Sequence, residues 1–245
     1  MYAEAILPSL ERIFTIAPSF RAEKSRTRRH LSEFYHAEAE AAWIGLEDLF
    51  RIEEGVIEYI CSYVSEKHKK DLEFLGREPS VISKIRGPFR KISYSEALQI
   101  LKDKGKPLSY GEDLGADEER ILTQDLSDPI FIHSYPLKIK AFYVKEDPSN
   151  PTIGLTTDLL APEGYGEITT GGEREDNIDK LIKRLQSQNL NIKNYEWYLD
   201  LRRYGSVPHA GFGLGIDRMT MWLCKLDHIR DAIPFPRLER SLYSV

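Results

Sequence analysis

"SFRAEKSRTRRHLSEFYHAEAE", residues 19–40, decides how the chain is read. Just before it, Phe14, Ile16, Pro18 and Phe20 alternate with Thr15, Ala17, Ser19 and Arg21. A period of two predicts a strand with one buried face. Residues 24–32 are too polar to pack and predict an exposed loop. From Phe34 the alternation returns, with Phe34, His36, Glu38 and Glu40 on one face and Tyr35, Ala37, Ala39 and Ala41 on the other. The reading is strand, basic loop, strand. Six cationic residues fall between Arg21 and His30, the histidine included. Guanidinium forks match phosphate oxygens in bidentate fashion, so this density suits a polyphosphate. Phe34 offers a flat ring on the same open face, on which a base would stack for about 1–3 kcal/mol. Glu38 and Glu40 lie further along that face, where carboxylates hold an amino group, an amide or a metal. A solvated basic hairpin that touches RNA stays open on composition alone.

The rest of the chain is consistent with one large domain. Its 245 residues suffice for a real core. With 41% hydrophobic and 30% charged residues it has the composition of an ordinary globular protein. The net charge is −5, so any grip on phosphate or nucleic acid must be local. No apolar run approaches the roughly 18 residues of a membrane helix, and the start shows no signal peptide. Cys61 and Cys224 sit in apolar helical patterns and read as buried free thiols. A cytoplasmic protein is expected.

Residues 2–11 predict a short helix. A long helix is expected over about 46–70, with Leu46, Leu49, Phe50, Ile57, Ile60, Cys61 and Val64 on its apolar stripe. Residues 66–92 are highly charged and predict a surface excursion. Ser93 or Ser95 would cap a helix that ends at Gly105. "IFIHSYP" (130–136) and "IKAFYVK" (139–145) predict strands joined by a turn, and "LTTDLLAP" (155–162) begins another. The glycines of "APEGYGEITTGGERE" (161–175) predict a bulge or a close backbone approach. Helices are expected over 176–190 and 195–204, a turn and strand over 205–215, and a last helix from about Ile216. There are no internal repeats. The pattern predicts an α+β domain. "GFGLGIDR" (211–218) puts glycines where a ligand could lie against the backbone and Arg218 on the next helix. It is neither a Walker loop nor a dinucleotide fingerprint, and alone it equally fits tight packing.

Taken together, the blocks "SFRAEKSRTRRHLSEF", "IKAFYVK", "DLLAPEGYGEI", "WYLDLRRYGSVPHAGFGLGIDR" and "DHIRDAIPFPR" resemble the catalytic domain of class II aminoacyl-tRNA synthetases, subclass b. They are most similar to the archaeal asparaginyl type. The resemblance covers nearly the whole chain. It implies a class II synthetase fold over residues 1–245, an antiparallel β-sheet flanked by helices, with motif 2 at about 13–43 and motif 3 at about 207–226. It also implies that motif 1, the anticodon-reading barrel and a loop over the amino-acid pocket belong to sequence upstream of Met1, in a homodimer.

What the resemblance implies for single residues is specific. Arg21 and Arg218 would be catalytic. Arg21 would bind the α-phosphate of ATP and the amino-acid carboxylate. Glu23 would hold the adenine or ribose side. Arg29, His30 and Leu31 would reach over the triphosphate, and Phe34 would stack on adenine. Gly215 and Arg218 would complete the nucleotide site from motif 3. Glu167 and Thr170 would ligate Mg²⁺, which takes oxygen ligands. They are three apart on a strand, so a bulge must bring them to one face. Glu38, Arg174 and Thr170 would meet the amino acid. The implied reaction is attack of the amino-acid carboxylate on the α-phosphorus of ATP, with no protein nucleophile.

The substrate signals disagree. Glu38 stands where asparagine enzymes of the family carry Glu and aspartate enzymes carry Asp. "TTGGER" (169–174) is closer to the aspartate pattern, and closer still to a related group that makes asparagine from aspartate, ATP and ammonia. Asp217 stands where the family usually has Glu. The expected function is activation of asparagine for tRNA(Asn), as the catalytic part of an asparagine–tRNA ligase. Asparagine synthetase is the alternative, and a non-catalytic RNA- or protein-binding paralogue is the second alternative.

Overall fold

The computed structural model describes residues 1–22 and 27–238. The strands are β1 (Arg12–Phe20), β2 (Glu33–Ala42), β3 (Arg90–Ser93), β4 (Ile130–His133), β5 (Glu146–Asp147), β6 (Asn150–Gly154), β7 (Thr156–Ala161), β8 (Gly166–Glu173) and β9 (His209–Gly215). The helices are α1 (Leu7–Leu10), α2 (Leu46–Lys67), α3 (Lys69–Phe74), α4 (Pro79–Ile82), α5 (Tyr94–Asp103), α6 (Ala116–Thr123), α7 (Ile178–Ser187), α8 (Glu196–Arg203) and α9 (Ile216–Leu223). Seven strands form one sheet in the order β1-β2-β9-β8-β7-β4-β3, and β5 and β6 make a separate ribbon. The large sheet is antiparallel except for its far edge, where β3 runs parallel to β4. The expected α+β architecture, a sheet flanked by helices, is the one observed.

The sheet separates two environments. Its back face carries Phe131, Leu159, Ile168, Ala210, Phe212 and Leu214, which pack with Leu49, Phe50, Ile57 and Cys61 of α2 and with Met219 and Trp222 of α9. The α2 stripe read from the sequence is therefore the core contact. Among the described residues its front face is covered toward the far edge, where Ile130, Ile132, Tyr135 and Leu160 meet Ala97 and Leu101 of α5 and Leu122 of α6. It is also covered at the His209 end of β9, where that ring lies 2.8 Å from the Glu4 carboxylate, itself held by Tyr198 and Arg202 of α8. The remaining front face, over β2, β9 and β8, is open. α5 starts at Ser93, which accepts from the Glu96 N–H (3.2 Å), while Glu96 accepts from the Ser93 N–H (2.7 Å). This capping box settles the choice between the two serines.

Three expectations are corrected. The apolar face of β1 is not buried: Phe14 is 81% and Phe20 69% exposed. β1 is an edge strand, and the back layer of α2 and α9 contacts β2 and β9 instead. Alternation specifies a strand but not what covers it. Residues 66–92 are also not wholly a surface excursion. Leu72, Ile82, Ile85 and Phe89 enter the back core, while the charges face outward. Finally, 139–145 is no strand. It keeps alternating burial at Phe142 and Val144 and has a single bridge, Val144 to Arg174. The carbonyls of Lys140 and Ala141 accept instead from Arg184 of α7, each at 3.0 Å, and Lys140 also accepts from Gln188 just beyond it, at 3.0 Å. Backbone groups satisfied by side chains need no neighbouring strand. Cys61 is buried and Cys224 half-buried, and both are free. Burial pushes the Cys61 thiol up to about 12.

Glu53 of α2 is fully buried in the back core beneath β8. It accepts from the Thr169 hydroxyl. Burial raises its carboxyl from 4.5 to about 8. The folded state therefore holds this proton more tightly than the unfolded state does. Its contribution to stability is complete below pH 4.5 and is lost as pH rises toward about 8. Glu53→Gln carries no such proton. Its melting temperature relative to wild type should therefore climb between about pH 5 and pH 9. A difference that stays flat across that range contradicts a buried neutral acid.

Candidate active site

The open front face carries a cleft of about 500 Å³. Its walls come from strands that are distant in sequence but adjacent in the sheet. β2 supplies Phe34, His36, Glu38 and Glu40, the alternating face read from the sequence. β9 lies beside it, with Glu38 opposite Gly213 and Glu40 opposite Gly211. A Cβ on Gly211 would collide with the Glu40 carboxylate, and one on Gly213 with the His36 ring. The glycines of "GFGLG" thus make room for side chains of the neighbouring strand as well as for a ligand.

β8 supplies the other wall. Its pairing with β7 shifts between Leu159, opposite Thr169, and Leu160, opposite Glu167. Ile168 is the extra residue of this bulge, and its side chain goes to the back core. The bulge turns Glu167 to the same face as Thr170, as the spacing required. Thr169 faces α2.

Of the residues expected to form the site, Arg21, Arg29, His30, Leu31, Phe34, Glu38, Glu167, Thr170, Arg174, Gly215 and Arg218 all line this one cleft. Glu23 lies outside the described residues. At one end the Arg21 guanidinium is 5.9 Å from the centre of the Phe34 ring. Across from it, Arg218 donates to the Glu167 carboxylate (2.6 Å) and Arg29 to the Glu167 carbonyl (2.9 Å). The Glu167 carboxyl is held below its ordinary range: burial opposes this, but the charges of Arg218, Arg29 and Lys140 outweigh it.

At the other end Arg174 is clamped. Its Nε donates to both oxygens of Glu40 (3.1 and 3.2 Å) and its Nη2 to one of them (2.5 Å). Both side chains are largely buried. Glu38 is half-exposed, with one oxygen 3.3 Å from Nδ1 of His36. That hydrogen bond lowers the Glu38 carboxyl, more than its partial burial raises it.

Several of these residues escaped sequence reasoning. Glu40 was placed on the right face but not as the partner of Arg174. Asp158 was missed. It stands opposite Thr170 in the β7–β8 register, so it shares the front face. One of its oxygens accepts from Lys140 (2.7 Å), and the other is buried with no hydrogen-bond partner among the described residues. The signal was present: "TTDLLA" has a single acid in a wholly buried strand. Asp217 accepts from the Tyr35 N–H (2.8 Å) and ties the start of α9 to β2.

Glu167 and Thr170 present oxygens to the cleft, and Asp158 lies beneath them on the same face of the sheet, outside the cleft lining. Among the described residues no group of three or more His, Cys, Asp or Glu side chains could hold a metal ion. Oxygen donors are the kind that Mg²⁺ takes, with one or two carboxylates and the rest of its shell from phosphate and water. Among the described residues no helix is long and apolar enough to cross a membrane.

The family model of class II tRNA synthetases (D, K and N) matches residues 1–239. The chain belongs to this family, and its sheet with the open front cleft is the class II synthetase fold. Within the family its relatives point in one direction. The asparagine–tRNA ligase of Pyrococcus abyssi is 52% identical over 243 residues, covering 99% of this chain and 56% of that protein. That of Thermoplasma acidophilum is 54% identical over 239 residues, covering 98% and 56%. Among solved structures, asparaginyl-tRNA synthetase from Pyrococcus horikoshii complexed with asparaginyl-adenylate superposes with a TM-score of 0.96 at 52% identity, covering 99% of this chain and 56% of that one. Aspartyl-tRNA synthetase from Entamoeba histolytica superposes at 0.85 with 27% identity, covering 96% and 50%. The chain spans about half the length of the curated relatives it matches.

Proposed function

We propose that the cleft binds ATP and asparagine and joins them as asparaginyl-adenylate, for transfer to tRNA(Asn). The observation that carries the choice of amino acid is the clamp on Arg174. Glu40 already neutralises that guanidinium, and Glu38 adds a further negative charge beside it. A substrate aspartate would bring another carboxylate to an end of the cleft that is negative overall. A neutral amide accepts nothing unfavourable: its NH₂ donates to Glu38, and its carbonyl accepts from Nη1 of Arg174, the corner that Glu40 does not use. Like charges brought together out of water cost several kcal/mol. The asparagine–tRNA ligase relatives support the same choice.

In this reading a carboxylate oxygen of asparagine attacks the α-phosphorus in line. The bond from that phosphorus to the bridging oxygen breaks, and pyrophosphate leaves with the electron pair. Arg21 faces the phosphorus and stabilises charge as it develops, and Phe34 stacks on the adenine. Arg218 and the loop residues Arg29 and His30 flank the phosphates. Glu167 and Thr170 would hold Mg²⁺, which would supply positive charge beside the phosphates. Positioning and charge neutralisation carry the rate, without a covalent enzyme intermediate. A cytoplasmic homodimer belongs to this proposal. The exposed Phe14, Ile16 and Phe20 face of β1 is a surface that a second copy would cover.

A non-hydrolysable mimic of asparaginyl-adenylate tests the site directly. It should raise the melting temperature well above the aspartyl mimic, since a ligand at 100 times its Kd stabilises by about 2.7 kcal/mol. Phe34→Ala should cut ATP affinity by about 1–3 kcal/mol through lost stacking. Equal effects of the two mimics, or unchanged ATP affinity in a folded Phe34→Ala, would remove the proposal.

A further inference from the structure

One buried carboxylate near the cleft has no place in the chemistry above. Glu119 lies on α6, in the unit that covers the far edge of the sheet, and is only 7% exposed. One of its oxygens accepts from Nη1 of Arg29 (2.5 Å) and from the backbone N–H of Glu167 (2.7 Å). Nη2 of Arg29 donates to the carbonyl of Glu167 (2.9 Å). Carboxylate, guanidinium and peptide thus close a ring of hydrogen bonds around the bulge of β8. Gly166 sits at φ +71°, and a Cβ there would lie 2.5 Å from both Arg29 Nη1 and Glu119 Oε2. The ring therefore leaves no room for a side chain at 166. Beyond it, the Glu167 carboxylate turns to Arg218 at 2.6 Å.

We propose that Glu119 is a positioning residue for ATP, fixing Arg29 and the Glu167 peptide in the one arrangement that the phosphates meet. A buried ion pair is a poor source of stability, because desolvation offsets much of the Coulomb attraction. Well-packed apolar side chains would fill the same space at no such cost. What the charged ring supplies is geometry. Arg29 has its guanidinium plane set by two acceptors, and Glu167 has both its backbone N–H and its carbonyl held, one in each flanking peptide group. Fixing both peptides in turn sets where the Glu167 carboxylate points. Two elements of the nucleotide site, the basic loop after β1 and the bulge of β8, are thereby locked to a helix 90 residues from Arg29 in sequence. Glu119 itself is not among the residues that line the cleft.

This inference rests on the ATP reading, and the test separates the two. Glu119→Gln keeps the shape and one acceptor oxygen but removes the charge that holds Arg29. ATP–Mg²⁺ binding and pyrophosphate exchange are measured with ATP varied and then with asparagine varied, together with the melting curve. The expected result is an ATP KM and Kd raised about 10- to 100-fold, the order that misplacement by about 1 Å brings. The asparagine KM should stay within about twofold. Should Glu119→Gln not fold, Glu119→Asp serves. It keeps the charge but is one methylene too short to reach both donors. Unchanged ATP parameters in the variant, or ATP and asparagine weakened equally alongside a lower melting temperature, overturn the positioning role. A wild type that binds no ATP overturns the functional reading instead.

Discussion

Arg21→Ala should lower the rate of adenylate formation by about 10²–10³-fold, or 2.7–4 kcal/mol in the barrier, while weakening ATP binding far less. The asymmetry follows from where Arg21 sits. It lies just past the end of β1, its backbone N–H donating to the Ser32 carbonyl (3.0 Å), and its guanidinium projects into the cleft beside Phe34. It lines the cleft, where its charge would meet a ligand directly. The α-phosphorus gains negative charge only as the carboxylate attacks. A cation at that point strengthens its interaction in the transition state more than in the ground state, and only such a difference accelerates the chemical step. The measurement is kcat and ATP KM from pyrophosphate exchange, with ATP binding determined independently. Equal losses in binding and rate would make Arg21 a uniform binder and remove its catalytic role.

Glu40→Gln should produce the second large effect, on stability and on substrate choice together. Removing one partner of a buried ion pair strands the other charge, which typically costs about 3–5 kcal/mol. The guanidinium of Arg174 is the one stranded, held by Glu40 through three hydrogen bonds. An arginine without its carboxylate recruits the next one available. In the variant that is the side chain of aspartate, which should gain affinity while asparagine loses its advantage. Denaturation curves and amino-acid binding check the two halves. A variant as stable as wild type with the same preference would show that Glu40 neither supports nor neutralises Arg174.

Much of this was legible in the chain because strands have a fixed parity. Phe34, His36, Glu38 and Glu40 share a face whatever the fold around them. The same parity showed that Glu167 and Thr170 need a bulge, and the bulge is there, at Ile168. Parity could not tell which pairs would bond. Both Glu38 and Glu40 face the cleft, yet the one that grips Arg174 was visible only once β2, β9 and β8 were side by side. Glu119 was hidden in "DEER", where a charge run on a helix reads as a solvated face. Its burial depends on Arg29, which no local pattern brings near. The face of β1 failed for a different reason: Phe14 and Ile16 have the period of a packed strand, but the covering layer ends at β2. "IKAFYVK" failed because α7 satisfies its carbonyls with side chains, an option that periodicity does not register.

On the proposed reading, Glu38, Glu40 and Arg174 together select a neutral amide. Pyrophosphate exchange with asparagine and with aspartate, in wild type and in Glu38→Gln, tests it most directly. Sites built on buried hydrogen bonds discriminate by up to about 10⁴–10⁵ when the wrong ligand leaves groups unpaired. Wild type should therefore exchange strongly with asparagine and weakly with aspartate, and Glu38→Gln should erode that preference by removing the repulsion. Preferential exchange with aspartate, with release of free asparagine when ammonia is added, would contradict the account and make the protein an asparagine synthetase.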